Sequence, residues 1–296
     1  MHFVVAGGTG FLGRALTASL ERDGHRVSAL TRRPRPGVAT DIAWTPDGDV
    51  GPWVESLAGV DTIVNLAGEG IADKRWTPER KAALISSRLK ATTSLAKAVS
   101  ALPSPPRVFV SASGVGYYGP RGDERITEAA TPGHDFLGEL AARWEHATMA
   151  AMGRTRVVLL RTGLVMGREG ALKQMLPPFR LGVGGRLGDG RQWMPWISLD
   201  DWVGIARLAI EDARAGGPIN VSAPEPVTNA EFTKTLGRVL GRPTIFPVPA
   251  FALRLALGEL ADALLTGQRA VPEKALQLGY RFTHPTLADA LRAAID

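Results

Sequence analysis

Two hydrophobic periods alternate along the chain up to about Val221. Short runs of consecutive apolar, β-branched residues recur as "HFVVAG" (2–7), "RVSALTR" (26–32), "DTIVNLAG" (61–68), "RVFVSAS" (107–113) and "RVVLLRTG" (156–163). Between them the apolar positions fall three and four apart, as in Leu12, Leu16 and Leu20, which predicts helices with one face on a sheet. The stretch "TPERKAALISSRLKATTSLAKAVSAL" (77–102) reads as one long helix, with Thr77 as N-cap and Pro78 in its first turn. Strands that are apolar throughout must be covered on both faces, so the pattern predicts a parallel sheet between two helical layers.

A sixth strand, "PINVSA" (218–223), comes much later. Residues 177–192 are rich in Gly, Pro and Arg and read as loop. From about Pro247 the pattern is mostly helical, with Pro272 and Pro285 as breakers. Asp135 reads as an N-cap, and Asp200 and Asp201 as caps of the helix that follows them. The expected division is a Rossmann-type core over 1–165, to which 196–222 returns. A substrate-side helical module is expected over 166–195 and 223–296.

Composition narrows the function only modestly. The chain has 296 residues, 45% hydrophobic and 22% charged, which suits a globular protein with one large α/β domain. Its net charge is +6, but the only dense basic run is Thr31-Arg32-Arg33-Pro34-Arg35, so nucleic acid is not an expected partner. There is no cysteine, which removes disulfides, thiolate metal sites and thiol nucleophiles and fits a reducing cytoplasm. No histidine pair has helix-face spacing with a third ligand, so no metal is expected. The apolar stretch "VPAFALRLALGELADALL" (248–265) is interrupted by Arg254, Glu259 and Asp262 and is too polar to span a bilayer. Nothing at the N-terminus reads as a secretory leader, and no membrane partner is expected.

The candidate chemistry begins at the first strand's end. Gly7, Gly10 and Gly13 stand three apart between a strand and a helix. In that context the first glycine allows a tight turn, the second lets a pyrophosphate approach the backbone, and the third lets helix pack on strand. Free N–H groups at the helix N-terminus then meet the phosphates. The second strand ends in Thr31-Arg32-Arg33 where an NAD site would carry an acid for the ribose. Guanidinium groups there would grip a 2′-phosphate, so NADP(H) is expected in preference to NAD(H).

These segments resemble the extended short-chain dehydrogenase/reductases, in particular an atypical, nucleotide-sugar-epimerase-related subgroup. "AGGTGFLG" (6–13) is similar to that family's cofactor loop and Asn65-Leu66-Ala67-Gly68 to its "N-x-A-G" element. "VSASGVGYYG" (110–119) resembles its serine segment and "RTGLVMG" (161–167) the stretch that closes over nicotinamide. "NLAGEGIADKRW" (65–76), "ISSR" (85–88) and "DFLGELAARWE" (135–145) resemble the atypical subgroup, as does the helical C-terminal module.

The resemblance implies a cofactor site made of Gly7, Thr9, Gly10, Phe11, Leu12 and Gly13, then Thr31, Arg32 and Arg33. Leu66, Ala67, Gly68 and Glu69 follow, with Arg88, Ser111 and Arg161, the last alternatively holding an anionic substrate. Ser113 is the match to the active-site serine, Ser111 the fallback, and Tyr117 and Tyr118 lie just beyond.

The wider family works with Tyr-x-x-x-Lys on one helix face. Here the fourth residue after Tyr117, Tyr118 and Tyr280 is Arg121, Gly122 and His284, so that pair is absent. Matching Glu145 to the acid found later in the family's helix puts Leu137 and Ala141 where the tyrosine and lysine would stand. The expected function is therefore an NADP(H)-binding epimerase-like oxidoreductase with catalytic candidates Ser113, Tyr117 and Tyr118. A non-catalytic NADP(H)-binding sensor or scaffold is the alternative. The partner is expected to be a small, phosphorylated or anionic molecule, and the protein a monomer or homodimer. The loop "GGRLGDGRQWMPW" (184–196) offers Arg beside Trp193, Met194 and Trp196 as either a ligand lining or a self-packed lid.

Overall fold

The computed structural model describes residues 1–295. Seven parallel strands form the central sheet: β1 (His2–Ala6), β2 (Arg26–Thr31), β3 (Asp41–Ala43), β4 (Thr62–Asn65), β5 (Val108–Gly114), β6 (Arg156–Thr162) and β7 (Gly217–Val221). Their order across the sheet is β7-β6-β5-β4-β1-β2-β3. All six apolar runs form strands. β3 is the seventh, and its three residues "DIA" are too short and too polar to stand out in the sequence.

The helices α1 (Phe11–Arg22), α2 (Pro78–Ala101), α3 (Phe136–His146) and α5 (Leu199–Glu211) lie where the sequence pattern predicts, and α4 (Ala171–Arg180) and α6 (Asn229–Leu240) join them. One face of the sheet packs on Leu16 and Leu20 of α1 and on Trp202, Ile205 and Ala209 of α5. The other packs on Ala91, Leu95 and Val99 of α2. Val4, Val5 and Ala6 are wholly buried between those layers, which is why β1 tolerates no alternation.

The chain leaves β1 toward β2 and β3, then returns to place β4 on β1's other side, with Ala6 level with Asn65. That reversal of direction opens a crevice at the strand ends, the place where open α/β sheets bind ligands.

A second core joins Met166, Leu172, Leu176, Phe179 and Trp196 to Phe232 and Leu236 of α6 and to Leu291 of α10 (Leu287–Ile295). Before α10 come α7 (Ala250–Leu257), α8 (Leu260–Leu265) and α9 (Glu273–Gln277). Pro272 immediately precedes α9, and Pro285 stands two residues ahead of α10.

Two local expectations are corrected. The supposed loop over 177–192 begins inside α4, which carries Pro177 and Pro178 in its interior because Leu172, Leu176 and Phe179 are driven into the second core. α5 is capped not by Asp200 or Asp201 but by Ser198, whose Oγ accepts from the Asp201 N–H at 3.0 Å. Asp135 does cap α3, accepting from the Gly138 N–H at 3.1 Å, and Thr77 caps α2. Among the described residues no helix is long and apolar enough to cross a membrane.

Asp201, freed from capping, does something larger. Its buried carboxylate accepts from the Tyr280 hydroxyl (3.0 Å), the Thr283 N–H (2.7 Å) and the His284 N–H (3.0 Å), pinning the segment before α10 to α5. The phenol of Tyr280 is pushed above its usual range by burial and by this carboxylate. Replacing Asp201 by Ala strands four donors, the Tyr280 and Ser198 hydroxyls and two backbone N–H groups, and should lower stability by about 2–4 kcal/mol. Urea unfolding together with faster amide exchange at 280–286 checks it. Unchanged exchange there would show that the segment does not depend on this carboxylate.

Candidate functional site

The three glycines of the loop meet different surroundings. Gly7 has a φ of +80°, and a Cβ there would lie 2.7 Å from the Leu66 carbonyl group, so the β1–α1 turn and the end of β4 touch backbone to backbone. A Cβ on Gly13 would overlap the Gly7 carbonyl oxygen and the Gly8 backbone, so α1 sits directly on the loop. Gly10 is different, since its Cβ position meets only the Gly7 oxygen, at 3.3 Å. Gly10 is also the N-cap of α1, with no side-chain cap and no acid in the first turn. The first amides of α1 therefore keep their donors and their share of the helix dipole for an anion.

Around this loop, Thr9 is exposed and its carbonyl accepts from Arg14, whose other arm pairs with Glu169. Phe11 packs against Gly167, where a Cβ would lie 2.5 Å from its ring, and Leu12 packs on the central core. At the end of β2 the Thr31 Oγ1 accepts from the Arg33 N–H at 3.2 Å. Arg35 is committed to Asp41 by a paired contact at 2.7 and 2.9 Å, which holds that carboxyl near a pKa of about 2. Arg32 and Arg33 are exposed, and no carboxylate among the described residues lies within 4.0 Å of either.

The end of β4 is held from α2. Asn65 Nδ2 donates to Thr92 Oγ1 (2.8 Å) and Ser111 Oγ (3.3 Å), while its Oδ1 accepts from the Ala67 N–H. Ser111 is fully buried in this network. Arg88 lies beneath Gly68, donating to the carbonyls of Glu69 (2.8 Å) and Leu84 (3.1 Å) with its face 5.1 Å from the Trp144 ring centre. The Glu69 carboxylate pairs instead with Arg80. Arg88 is thus a buried cation without a carboxylate partner among the described residues, and burial draws its pKa down to about 10, still protonated at neutral pH.

At the sheet's end Ser113 of β5, Arg161 of β6 and Asn220 of β7 stand in one row, each level with the next. α3 brings Glu145 over that row. Its carboxylate accepts from Ser113 Oγ at 2.7 Å and from two guanidinium nitrogens of Arg161 at 2.8 Å each. Arg161 also donates to the Tyr118 hydroxyl (3.0 Å) and the Glu128 carbonyl (3.2 Å), and stacks 3.5 Å from the Tyr117 ring centre. Tyr118 passes its own proton to Asn220 Oδ1 at 2.6 Å; it has no exposed surface, and burial pushes its pKa up to about 12.

The loop over 184–196 packs mainly on its own protein. Trp196 is buried with its Nε1 on the Glu225 carbonyl, and Met194 accepts from Asn229. Trp193 donates to Asp123 at 2.8 Å while Arg269 covers its face at 4.6 Å. No group of three or more His, Asp or Glu side chains among the described residues is placed to hold a metal.

Residues 3–222 match the NAD dependent epimerase/dehydratase family, and residues 248–294 match a domain of unknown function, DUF1731. This chain belongs to the NAD dependent epimerase/dehydratase family. An epimerase family protein of Mycobacterium leprae is 41% identical over 293 residues, covering 98% of this chain and 94% of that one. The human epimerase family protein SDR39U1 is 40% identical over 300 residues, the full length of both. A crystal structure of human SDR39U1 with NADPH superposes with a TM-score of 0.90 at 38% identity, covering 99% of each chain. A UDP-glucuronic acid 4-epimerase from Bacillus cereus in complex with NAD shares the fold alone, at 19% identity and a TM-score of 0.76.

Within this epimerase family the chain is atypical. Leu137 and Ala141 occupy α3 where the wider family's tyrosine and lysine are expected, with Leu137 held against Gly116, whose Cβ position lies 3.1 Å away, and Ala141 buried. The sequence reading used Glu145 only as an alignment mark and did not see that it organises the site. The available signal was position: four residues after buried Ala141 and next to buried Trp144, on a helix face that should hold no charge. Glu128 and Asn220 gave no signal, because their partners lie far off along the chain.

Substituting Arg161 by Met leaves a nearly buried carboxylate unpaired and should lower stability by about 3–5 kcal/mol. Adding Glu145→Leu should restore most of that loss, since the apolar pair no longer strands a charge. A double-mutant cycle in urea measures both; additive losses would mean the two side chains are not coupled.

Proposed function

We propose that the chain binds NADP(H) along the glycine loop and acts with it as an oxidoreductase or epimerase on a small anionic substrate. One observation carries the reading: unspent donors and cations converge on one crevice. The uncapped start of α1 faces it, Gly7 abuts Leu66 there, and two residues further on Gly68 covers the unpartnered Arg88. Buried cations are ordinarily paired, so a counter-ion supplied by the ligand accounts for Arg88. The crystal structure of human SDR39U1 with NADPH supports the choice of cofactor.

In this reading α1's amides hold the pyrophosphate, Arg32 and Arg33 the 2′-phosphate, and Arg88 a neighbouring phosphate or ribose oxygen. The nicotinamide, when bound, supplies the hydride. Arg161 is assigned to the site's frame, because its donors are taken up by Glu145, Tyr118 and Glu128. The Ser113 hydroxyl donates its hydrogen bond to Glu145, so it meets a ligand as an acceptor. Tyr118 is wholly enclosed, whereas Tyr117 is only partly buried, so Tyr117 is the phenol proposed to exchange a proton with substrate. The absence of cysteine suits the cytoplasm, where we place the protein.

A second reading, a binding protein that senses NADP(H) without turnover, is favoured by Leu137 and Ala141, neither of which moves a proton. Purified protein, NADPH and a broad panel of carbonyl compounds separate the two. Consumption of NADPH that falls at least tenfold in Tyr117→Phe is expected for the enzyme. Stable NADPH across the whole panel leaves the sensor.

For cofactor choice, the Arg32→Glu/Arg33→Glu double variant removes two exposed, solvent-screened charge contacts worth about 1 kcal/mol each. NADPH affinity should fall by about 10–100-fold while NADH affinity changes little. Fluorescence titration with each nucleotide checks it, and an equal loss for both would sink the 2′-phosphate assignment.

A further inference from the structure

The second core carries an outer face that the cofactor reading does not use. Leu181, Val183, Ile245, Phe246, Phe251 and Leu255 are between 53 and 79% exposed, unusual for so many large apolar side chains on one module. They are brought together by the backbone. The Val248 N–H donates to the Arg186 carbonyl at 2.8 Å, and the Gly188 N–H to the Val248 carbonyl at 2.9 Å. The chain after α4 therefore runs beside the chain after α6. Gly182 lies against Pro243, and Gly188 against the start of α7. α7 itself, "AFALRLAL", has seven apolar residues among eight, yet none is buried.

The charges on the two stretches that carry this face are positive, the acids Asp189, Glu231, Glu259 and Asp262 lying just beyond them. Between Gln174 and Leu187, and between Phe232 and Leu257, the sequence holds six cations and no acid: Arg180, Arg186, Lys234, Arg238, Arg242 and Arg254. All six are exposed, and of them only Arg254 has a carboxylate partner among the described residues, Asp262 at 2.9 Å.

We propose that this face docks the protein reversibly onto an anionic lipid surface. Apolar side chains at the tips of adjoining turns enter the headgroup boundary, while the ring of unpaired arginines meets lipid phosphates. A second copy of the chain through the same face would set cation against cation. A lipid surface supplies the opposite charge and needs no pocket shaped to each protruding side chain. The sequence expectation of no membrane partner weighed only the lack of a span, which surface docking does not require. The proposal stands independently of the cofactor reading, since none of these residues is placed at the crevice.

Full-length protein is sedimented with vesicles of phosphatidylcholine alone and of phosphatidylcholine mixed with phosphatidylglycerol. Binding is expected to the mixed vesicles only, and to weaken as salt rises. Each lost cation should cost about fivefold in affinity, so Arg238→Gln/Arg242→Gln should bind about 25-fold more weakly. Ile245→Glu/Phe246→Glu should abolish sedimentation while its NADPH titration and melting temperature stay those of the parent, which separates lost docking from misfolding. No sedimentation of the parent protein at low salt, or undiminished sedimentation of Ile245→Glu/Phe246→Glu, overturns the proposal. So does a parent dimer that this variant converts to monomer without any vesicle binding, which would make a second copy the occupant.

Discussion

The Arg161 guanidinium is a charge removed from water, and the end of the sheet is arranged to satisfy it. Its partners come from four separate parts of the chain: Glu145 on α3, Tyr117 and Tyr118 after β5, Glu128 further on, and Asn220 through Tyr118. Asn220 in turn donates to the Val271 carbonyl, and the Glu128 carboxylate accepts from the N–H groups of Asn220 and Lys274. One buried cation thus ties three strands, a covering helix and the segment leading into α9. Coulomb attraction in a low-dielectric setting outweighs desolvation only because each donor has a partner at hydrogen-bonding distance. The network is therefore all-or-none, and removing any one member exposes the cost of the rest.

That use of the sheet end bears on chemistry. A hydroxyl at the end of β5 is well placed to polarise a substrate oxygen, yet Ser113 donates its hydrogen bond to Glu145 and is nearly buried. With Leu137 packed on Gly116, the helix face that would move a proton is apolar. What the crevice offers beside Tyr117 is electrostatic: α1 amides uncapped by any side chain, two exposed arginines and one buried one. The fold has kept the means of holding a dinucleotide and dispensed with the wider family's means of proton transfer.

How much of this the sequence disclosed depends on the range of the interaction. The glycine loop was legible because three glycines fall in a fixed spacing between a strand and a helix, although the backbone that Gly7 must approach, at Leu66, lies far along the chain. The strands were legible because burial on both faces forces continuous apolar runs, while β3 escaped as a short edge strand. Thr77 and Asp135 were legible caps. Asp200 and Asp201 misled, because an acid near a helix start looks like a cap whatever it binds, and Asp201 binds a segment about 80 residues away. α4 was hidden by its prolines, since local preference argues against a helix that tertiary burial enforces. The Arg161 network was illegible for the same reason: its charges meet only after the sheet has formed.

The crevice at the strand ends also has an energetic meaning. Arg88 is buried with no carboxylate partner among the described residues, and burial, with Arg80 nearby, makes its charged form less favourable. The first amides of α1 are uncapped by any side chain. Concentrated positive potential of this kind costs stability, and on the proposed reading a bound dinucleotide offsets it. Binding to the folded state alone adds about 2.7 kcal/mol when the ligand is at 100 times its dissociation constant. On that reading the cofactor is a structural partner of the N-terminal half. A protein arranged in this way gains from retaining its dinucleotide whether or not it turns it over, which is why loss of the tyrosine and lysine need not have been followed by loss of the glycine loop.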